Sequence, residues 1–321
     1  MSNRRGSFKG VYSLLLTPFR EDRSIDWEAY ERYLDWQLAQ GPDGLFAVCG
    51  SSEMKWLTLE ERLELSARAV KGAGDTPVVA TANLGADLSG HSEELRRMAD
   101  TGLAGVVLVP PPGLGENQER LGDYFAGVLD SSACPTLIYE WPMVSPYLID
   151  ASIYGMLVAQ HGLAGIKDTT CTIEGITAKI ERTGAATVFQ ANAPFMLDSI
   201  LRGADGIMAI ITTAAADLTI DFWRAALEQR RAGADRGPHR AEPSDLAASP
   251  SAARLHEQLV LLDCALGRGG SYPASAKYLA TLRGPQMGLT CRAPAVAVPE
   301  VRRAIEVWHT QAARSGVLRP R

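Results

Sequence analysis

Leu163-Ala164-Gly165-Ile166-Lys167-Asp168-Thr169-Thr170 reads as a short buried strand that ends in a lysine. Apolar runs of this length suit strands covered on both faces, as in parallel sheets. A lysine at the rim of an apolar core is costly unless it is paired or used. Burial disfavours the ammonium and draws its pKa toward neutrality. The neutral amine is a nucleophile that can form a Schiff base with a carbonyl. Taken alone, a strand-end lysine more often carries its amine out to water on an apolar stem. The meaning of Lys167 therefore depends on its surroundings.

Working outward, the same strand-like signal recurs. Apolar runs stand at Gly10–Leu16, Gly44–Val48, Thr76–Thr81, Gly105–Val109, Pro135–Tyr139, Thr187–Gln190 and Gly206–Ile210. Helical patterns separate most of them. Asp26 is placed to cap the first, ahead of Trp27, Tyr30, Tyr33 and Leu34, and Thr58 to cap the second. Ser89 opens the next helix, and Pro194 stands at the start of a later one. With the Lys167 run this makes eight β/α units, the pattern of a (β/α)8 TIM barrel in the α/β class. A doubly wound open sheet usually carries Gly-x-Gly-x-x-Gly after its first strand. The first turn here is Leu16-Thr17-Pro18-Phe19, which does not fit. Residues 1–215 are thus expected to form the barrel. Residues 216–321 are expected to supply a closing helix and a small C-terminal helical extension, with a flexible loop at about 232–250.

Bulk properties narrow the function. The 321 residues are 46% hydrophobic and 21% charged, an ordinary globular composition. A net charge of −5 leaves no basic footprint for nucleic acid. The five cysteines are scattered and form no Cys-x-x-Cys pair, so a reduced, cytoplasmic protein is expected. The five histidines lack metal-ligand spacing, so no metal is expected, and chemistry through a covalent lysine imine would need no cofactor. No apolar run approaches the roughly 20 residues that span a bilayer.

In a TIM barrel the chemistry sits at the C-terminal ends of the strands. Tyr139 ends the fifth strand, 28 residues before Lys167, so a phenol and an amine stand on neighbouring strands at one height. Gly50-Ser51-Ser52 follows the second strand. A Schiff-base enzyme needs an amine, an acid/base to shuttle protons, and donors for a carboxylate. Lys167, Tyr139 and the Ser51 hydroxyl are candidates for these parts, with the loop backbone as an anion seat. Each residue alone has a plainer reading as strand aromatic, turn or helix cap. The combination is harder to dismiss.

The same stretches resemble the dihydrodipicolinate synthase / N-acetylneuraminate lyase family of pyruvate-dependent class I aldolases. Leu16-Thr17-Pro18-Phe19 with Ile25-Asp26 resembles the family's opening. Gly50-Ser51-Ser52-Glu53 resembles its Gly-Thr-Thr-Gly-Glu loop, and Ile138-Tyr139-Glu140-Trp141-Pro142 its Tyr-Asn-x-Pro. Gly165-Ile166-Lys167-Asp168 and Gly203-Ala204-Asp205-Gly206-Ile207 resemble two later motifs, in the right order. The resemblance implies Lys167 as the Schiff-base residue, Tyr139 as the proton shuttle and Ser51 in the relay. It places Gly50, Ser52, Glu140, Trp141 and Ile207 around the substrate. It also implies a 2-oxo acid such as pyruvate with an aldehyde partner, and a homotetramer or homodimer.

The departures concern the second substrate. The loop has lost its second glycine, and Glu140 and Trp141 replace Asn and a variable residue. Met143-Val144-Ser145-Pro146 offers no arginine for an aldehyde's carboxylate. Pro110-Pro111-Pro112-Gly113 stands where the family places a tyrosine that enters the neighbouring subunit's relay. An aldolase-type lyase is the leading expectation. The alternatives are an imine-dependent dehydratase of a sugar-derived 2-oxo acid, dihydrodipicolinate synthase itself, and a non-catalytic ligand-binding barrel.

Overall fold

The computed structural model describes residues 8–140, 148–234 and 250–319. Eight parallel strands close in sequence order into a barrel: β1 Gly10–Leu14, β2 Gly44–Val48, β3 Val78–Thr81, β4 Gly105–Leu108, β5 Thr136–Tyr139, β6 Gly165–Asp168, β7 Thr187–Gln190 and β8 Gly206–Ile207. Helices α1 Trp27–Ala39, α2 Leu59–Ala73, α3 His91–Ala99, α4 Gln118–Ser131, α5 Ala151–His161, α6 Ile173–Ile180 and α7 Met196–Arg202 return between the strands. They are followed by α8 Thr212–Ala234, which kinks at Ala215, α9 Pro250–Gly267, α10 Ala274–Arg283 and α11 Pro299–Arg314. The expected (β/α)8 barrel is therefore present.

Local chemistry explains several boundaries. Asp26 accepts from the Ala29 amide, and Thr58 forms a reciprocal capping box with Glu61. The third helix differs from expectation. Asp87 caps a single turn, Leu88–Gly90, and the α-helix proper begins at His91 rather than Ser89. The last strand is also shorter than its apolar run. Beyond Ile207 the chain turns into α8, and the Thr212 hydroxyl takes the Leu14 amide at 3.0 Å in place of a strand partner. The expected loop at 232–250 falls almost wholly outside the described residues. Among the described residues, no helix is long and apolar enough to cross a membrane.

Side chains fill the barrel interior. Tyr12 on β1 and Phe189 on β7 meet edge to face with centroids 5.2 Å apart. Their bulk is accommodated by glycines on the strands between and beside them. A Cβ at Gly44 would fall 2.2 Å from the Tyr12 ring, and one at Gly206 2.2 Å from the Phe189 ring. This floor is tightly filled, and the open space lies above it, at the C-terminal ends of the strands. Gly206→Ala should displace the Phe189 ring and lower stability by about 1–3 kcal/mol, as overpacking does. A urea-unfolding midpoint at or above that of the wild type would show that the floor can yield.

Candidate active site

Period-two alternation along β5 and β6 sorts four adjacent residues into two environments. Tyr139 and Lys167 are register partners and face the barrel axis. Glu140 and Asp168, one position further on, face the helical layer. The Lys167 amine lies 3.8 Å from the centroid of the Tyr139 ring and 5.8 Å from that of Phe46. Phe46 and Tyr139 themselves meet edge to face. The lysine is 4% exposed, and burial draws its pKa down to about 8. Burial also raises the Tyr139 phenol well above its usual value, so it remains a protonated donor.

Two other buried lysines show how unusual that environment is. Lys179 of α6 bridges Glu140 at 2.6 Å and Asp168 at 3.0 Å. Lys277 of α10 reaches Glu53 at 2.8 Å, with both side chains fully buried. Both are held by carboxylates. Among the described residues, Lys167 has no carboxylate within ion-pair distance, and its amine lies over the aromatic faces of Tyr139 and Phe46.

The amine opens into a cavity of about 390 Å³. Gly50, Ser51, Tyr139, Lys167 and Thr169 line it from the barrel, and Lys55 and Trp56 stand at its rim. The opposite wall comes from the C-terminal extension, through Gly270, Tyr272, Pro273 and Ala293–Ala295. The segment that reads as an appendix in sequence thus completes the mouth. Of the other expected site residues, Ser52, Glu140 and Ile207 lie outside the described lining, and Trp141 lies outside the described residues.

Each displacement has a physical cause. The Ser52 hydroxyl accepts from the Cys49 amide at 2.6 Å and donates to the Cys49 carbonyl at 3.0 Å, closing the turn rather than facing substrate. The Thr17 hydroxyl holds the Ser52 carbonyl from below. Glu140 points away from the axis. It takes the Ile149 and Thr169 amides as well as Lys179, so it ties the returning chain after β5 to the end of β6. Burial raises its carboxyl pKa, and Lys179 opposes the rise. Ile207 is buried within β8, and Ile210, past the strand end, reaches the cavity instead.

Several functional positions give little sign of themselves in the sequence. Tyr272 donates a short hydrogen bond to the Ser51 hydroxyl across 221 residues of sequence. Glu53 adopts a left-handed backbone at φ 62°, a conformation costing a non-glycine residue on the order of 1–3 kcal/mol. Its side chain offsets this through Lys277 and the amides of Arg292 and Ala293, each at 2.7 Å for the amides. Arg292 also forms a two-pronged pair with Glu61 and reaches the Trp56 carbonyl. The lost glycine of the loop motif was a visible signal that the backbone here needed another support. The identity of that support depends on distant chain.

The family model described as the dihydrodipicolinate synthetase family matches residues 7–306. Among curated relatives, a 4-hydroxy-tetrahydrodipicolinate synthase from Gluconacetobacter diazotrophicus is 28% identical over 299 residues, covering 91% of this chain and 93% of that protein. One from Xylella fastidiosa is 30% identical over 237 residues, covering 72% of this chain and 75% of that protein. Among solved structures, a prophage protein of the dihydrodipicolinic acid synthase family from E. coli K12, in complex with pyruvate, superposes with a TM-score of 0.83 at 21% identity. That match covers 96% of this chain and 99% of the other.

Glu53→Gln leaves the Lys277 ammonium buried without its counter-charge. It should lower the unfolding free energy by about 3–5 kcal/mol in chemical denaturation. A loss under 1 kcal/mol would mean that the Thr290 carbonyl and the Phe19 ring suffice for Lys277.

Proposed function

The chain belongs to the dihydrodipicolinate synthetase family, and from that membership and the geometry of the cavity we propose that it is an aldolase-type lyase whose Lys167 forms an imine with pyruvate or a related 2-oxo acid. The observation that carries this reading is the Lys167 amine, buried against the Tyr139 ring with no counter-ion among the described residues. Lowering the amine's pKa to about 8 leaves a far larger neutral fraction near physiological pH than an ordinary lysine has, and the neutral form carries the nucleophilic lone pair.

The roles follow from position. The neutral amine attacks C2 of the 2-oxo acid, forming a C–N bond and sending the carbonyl electron pair onto oxygen. A proton passes from nitrogen to that oxygen through the neighbouring hydroxyls of Tyr139 and Ser51. The oxygen then leaves as water with one further proton. This restores the proton that the lysine ammonium lost to solvent before attack. The resulting iminium draws electrons from C3, so a bond at C3, to hydrogen or to the aldehyde carbon, can be made or broken. The backbone of Gly50–Ser52 seats the substrate carboxylate.

The acceptor side of the reaction is rebuilt. Residues 141–150 contain no lysine or arginine, and the extension contributes small and apolar residues to the wall. An aldehyde held by a carboxylate–arginine pair at that position does not suit this site, which favours a partner other than that of dihydrodipicolinate synthase. The shortened Gly50–Glu53 loop keeps a dehydratase of a sugar-derived 2-oxo acid as the second reading, through the same imine. We also infer that the protein acts in the cytoplasm without a cofactor and assembles as a homo-oligomer.

Borohydride reduction in the presence of pyruvate should add one reduced pyruvate to Lys167, read by intact mass and peptide mapping, and Lys167→Ala should show none. The trapping rate should rise with pH and reach half its plateau near pH 8. The sign follows from desolvation. Burial lowers the ammonium's pKa, so the reactive neutral form is scarce below that pH and dominant above it. Tyr139→Phe should slow turnover on the order of 10²–10⁴-fold, the range for a positioned acid/base. If no 2-oxo acid leaves an adduct on Lys167, the imine reading is lost.

A further inference from the structure

Ser51 has one hydroxyl proton and two acceptor lone pairs, and its torsion alone gives that proton no fixed direction. The structure supplies one. The Tyr272 phenol donates to Ser51 Oγ in a short hydrogen bond and occupies one lone pair. The Ser51 proton is thereby directed elsewhere, and Ser51, Tyr139 and Lys167 all line the same cavity. Coupled hydroxyls also polarise one another, which strengthens the outer donor.

Tyr272 is held firmly enough for this task. The preceding Ser271 donates to the Arg268 carbonyl at 2.8 Å, and Ser275 donates to the Leu266 carbonyl at 2.7 Å, fastening its loop to the end of α9. The following helix, α10, is joined to the Ser51 loop again through Lys277 and Glu53. The two loops are therefore fixed at two points, a phenol–serine bond and a buried ion pair. Burial raises the Tyr272 phenol well above its usual value, which keeps it a donor at every working pH.

We propose that Tyr272 is a positioning residue for proton transfer at the Lys167 imine, aiming the Ser51 proton into the cavity so that the hydroxyl chain is complete within one polypeptide. The proposal rests on the imine reading above. In the step it serves, Ser51 gives its proton to the carbinolamine oxygen and takes the one released by nitrogen. One N–H bond is exchanged for one O–H bond, and Tyr272 keeps its own proton throughout.

The test needs no aldehyde. In D2O, enamine formation exchanges the C3 protons of pyruvate for deuterium, which proton NMR follows directly, while borohydride trapping reports the imine itself. The wild type should exchange, and Lys167→Ala should not. Tyr272→Phe keeps the ring and the wall but removes the hydroxyl. It should lower kcat for exchange by about 10- to 100-fold, change KM for pyruvate less than about twofold, and still accumulate the trapped adduct. Ser51→Ala should show a comparable loss, and the double variant should be no slower than the slower single. Wild-type exchange by Tyr272→Phe, or multiplication of the two losses in the double variant, would overturn the proposal. Should Tyr272→Phe fail to fold, Tyr272→Met takes its place, with the same loss of exchange expected and wild-type exchange again overturning the proposal. Absence of both adduct and exchange in the wild type would instead be a failure of the Lys167 reading.

Discussion

Keeping the Lys167 amine out of water, with no carboxylate partner among the described residues, is the constraint around which this barrel is arranged. Desolvation of an ammonium is expensive, and proteins normally answer it with a counter-charge. This chain does so for Lys179 and Lys277, each buried and each paired. At Lys167, among the described residues, no carboxylate lies within ion-pair distance, and burial shifts the equilibrium toward the free base. The parity of the strand does the separating. One residue beyond Lys167, Asp168 faces the helices and pairs with Lys179, so its negative charge is spent on the other side of the sheet.

The second consequence of that constraint is a need for rigidity around the amine. Ser52 and Thr17 close the turn below Ser51, and Glu140 joins the chain after β5 to the end of β6. Neither Ser52 nor Glu140 lines the cavity, yet each fixes an element whose neighbouring residue does. The motifs that mark the family in this sequence are therefore a mixture. Lys167, Tyr139 and Ser51 face the cavity, while Ser52 and Glu140 hold the backbone that presents them.

The fold was legible because its signals are local. Buried parallel strands read as continuous apolar runs, and helix caps such as Asp26 and Thr58 declare themselves within three residues. The Lys167–Tyr139 pair was legible because barrel topology converts a spacing of one β/α unit into adjacency. What the sequence did not disclose depends on contacts between distant segments. Tyr272 with Ser51 and Glu53 with Arg292 join the second strand's loop to chain more than 200 residues away. The direction in which Ser52 and Glu140 point was similarly hidden, since residue type does not say which face of a turn or strand end it occupies.

Glu53 lends the architecture a temporal character. Its left-handed backbone is stabilised by amides that belong to Arg292 and Ala293, and the cavity wall runs through Ala293–Ala295. All eight strands precede that segment in the chain. The reaction chamber, by contrast, is enclosed only once the late segment docks on the early loop. The cavity is therefore complete only in a chain that extends through residue 295, and one ending short of it would lack this wall.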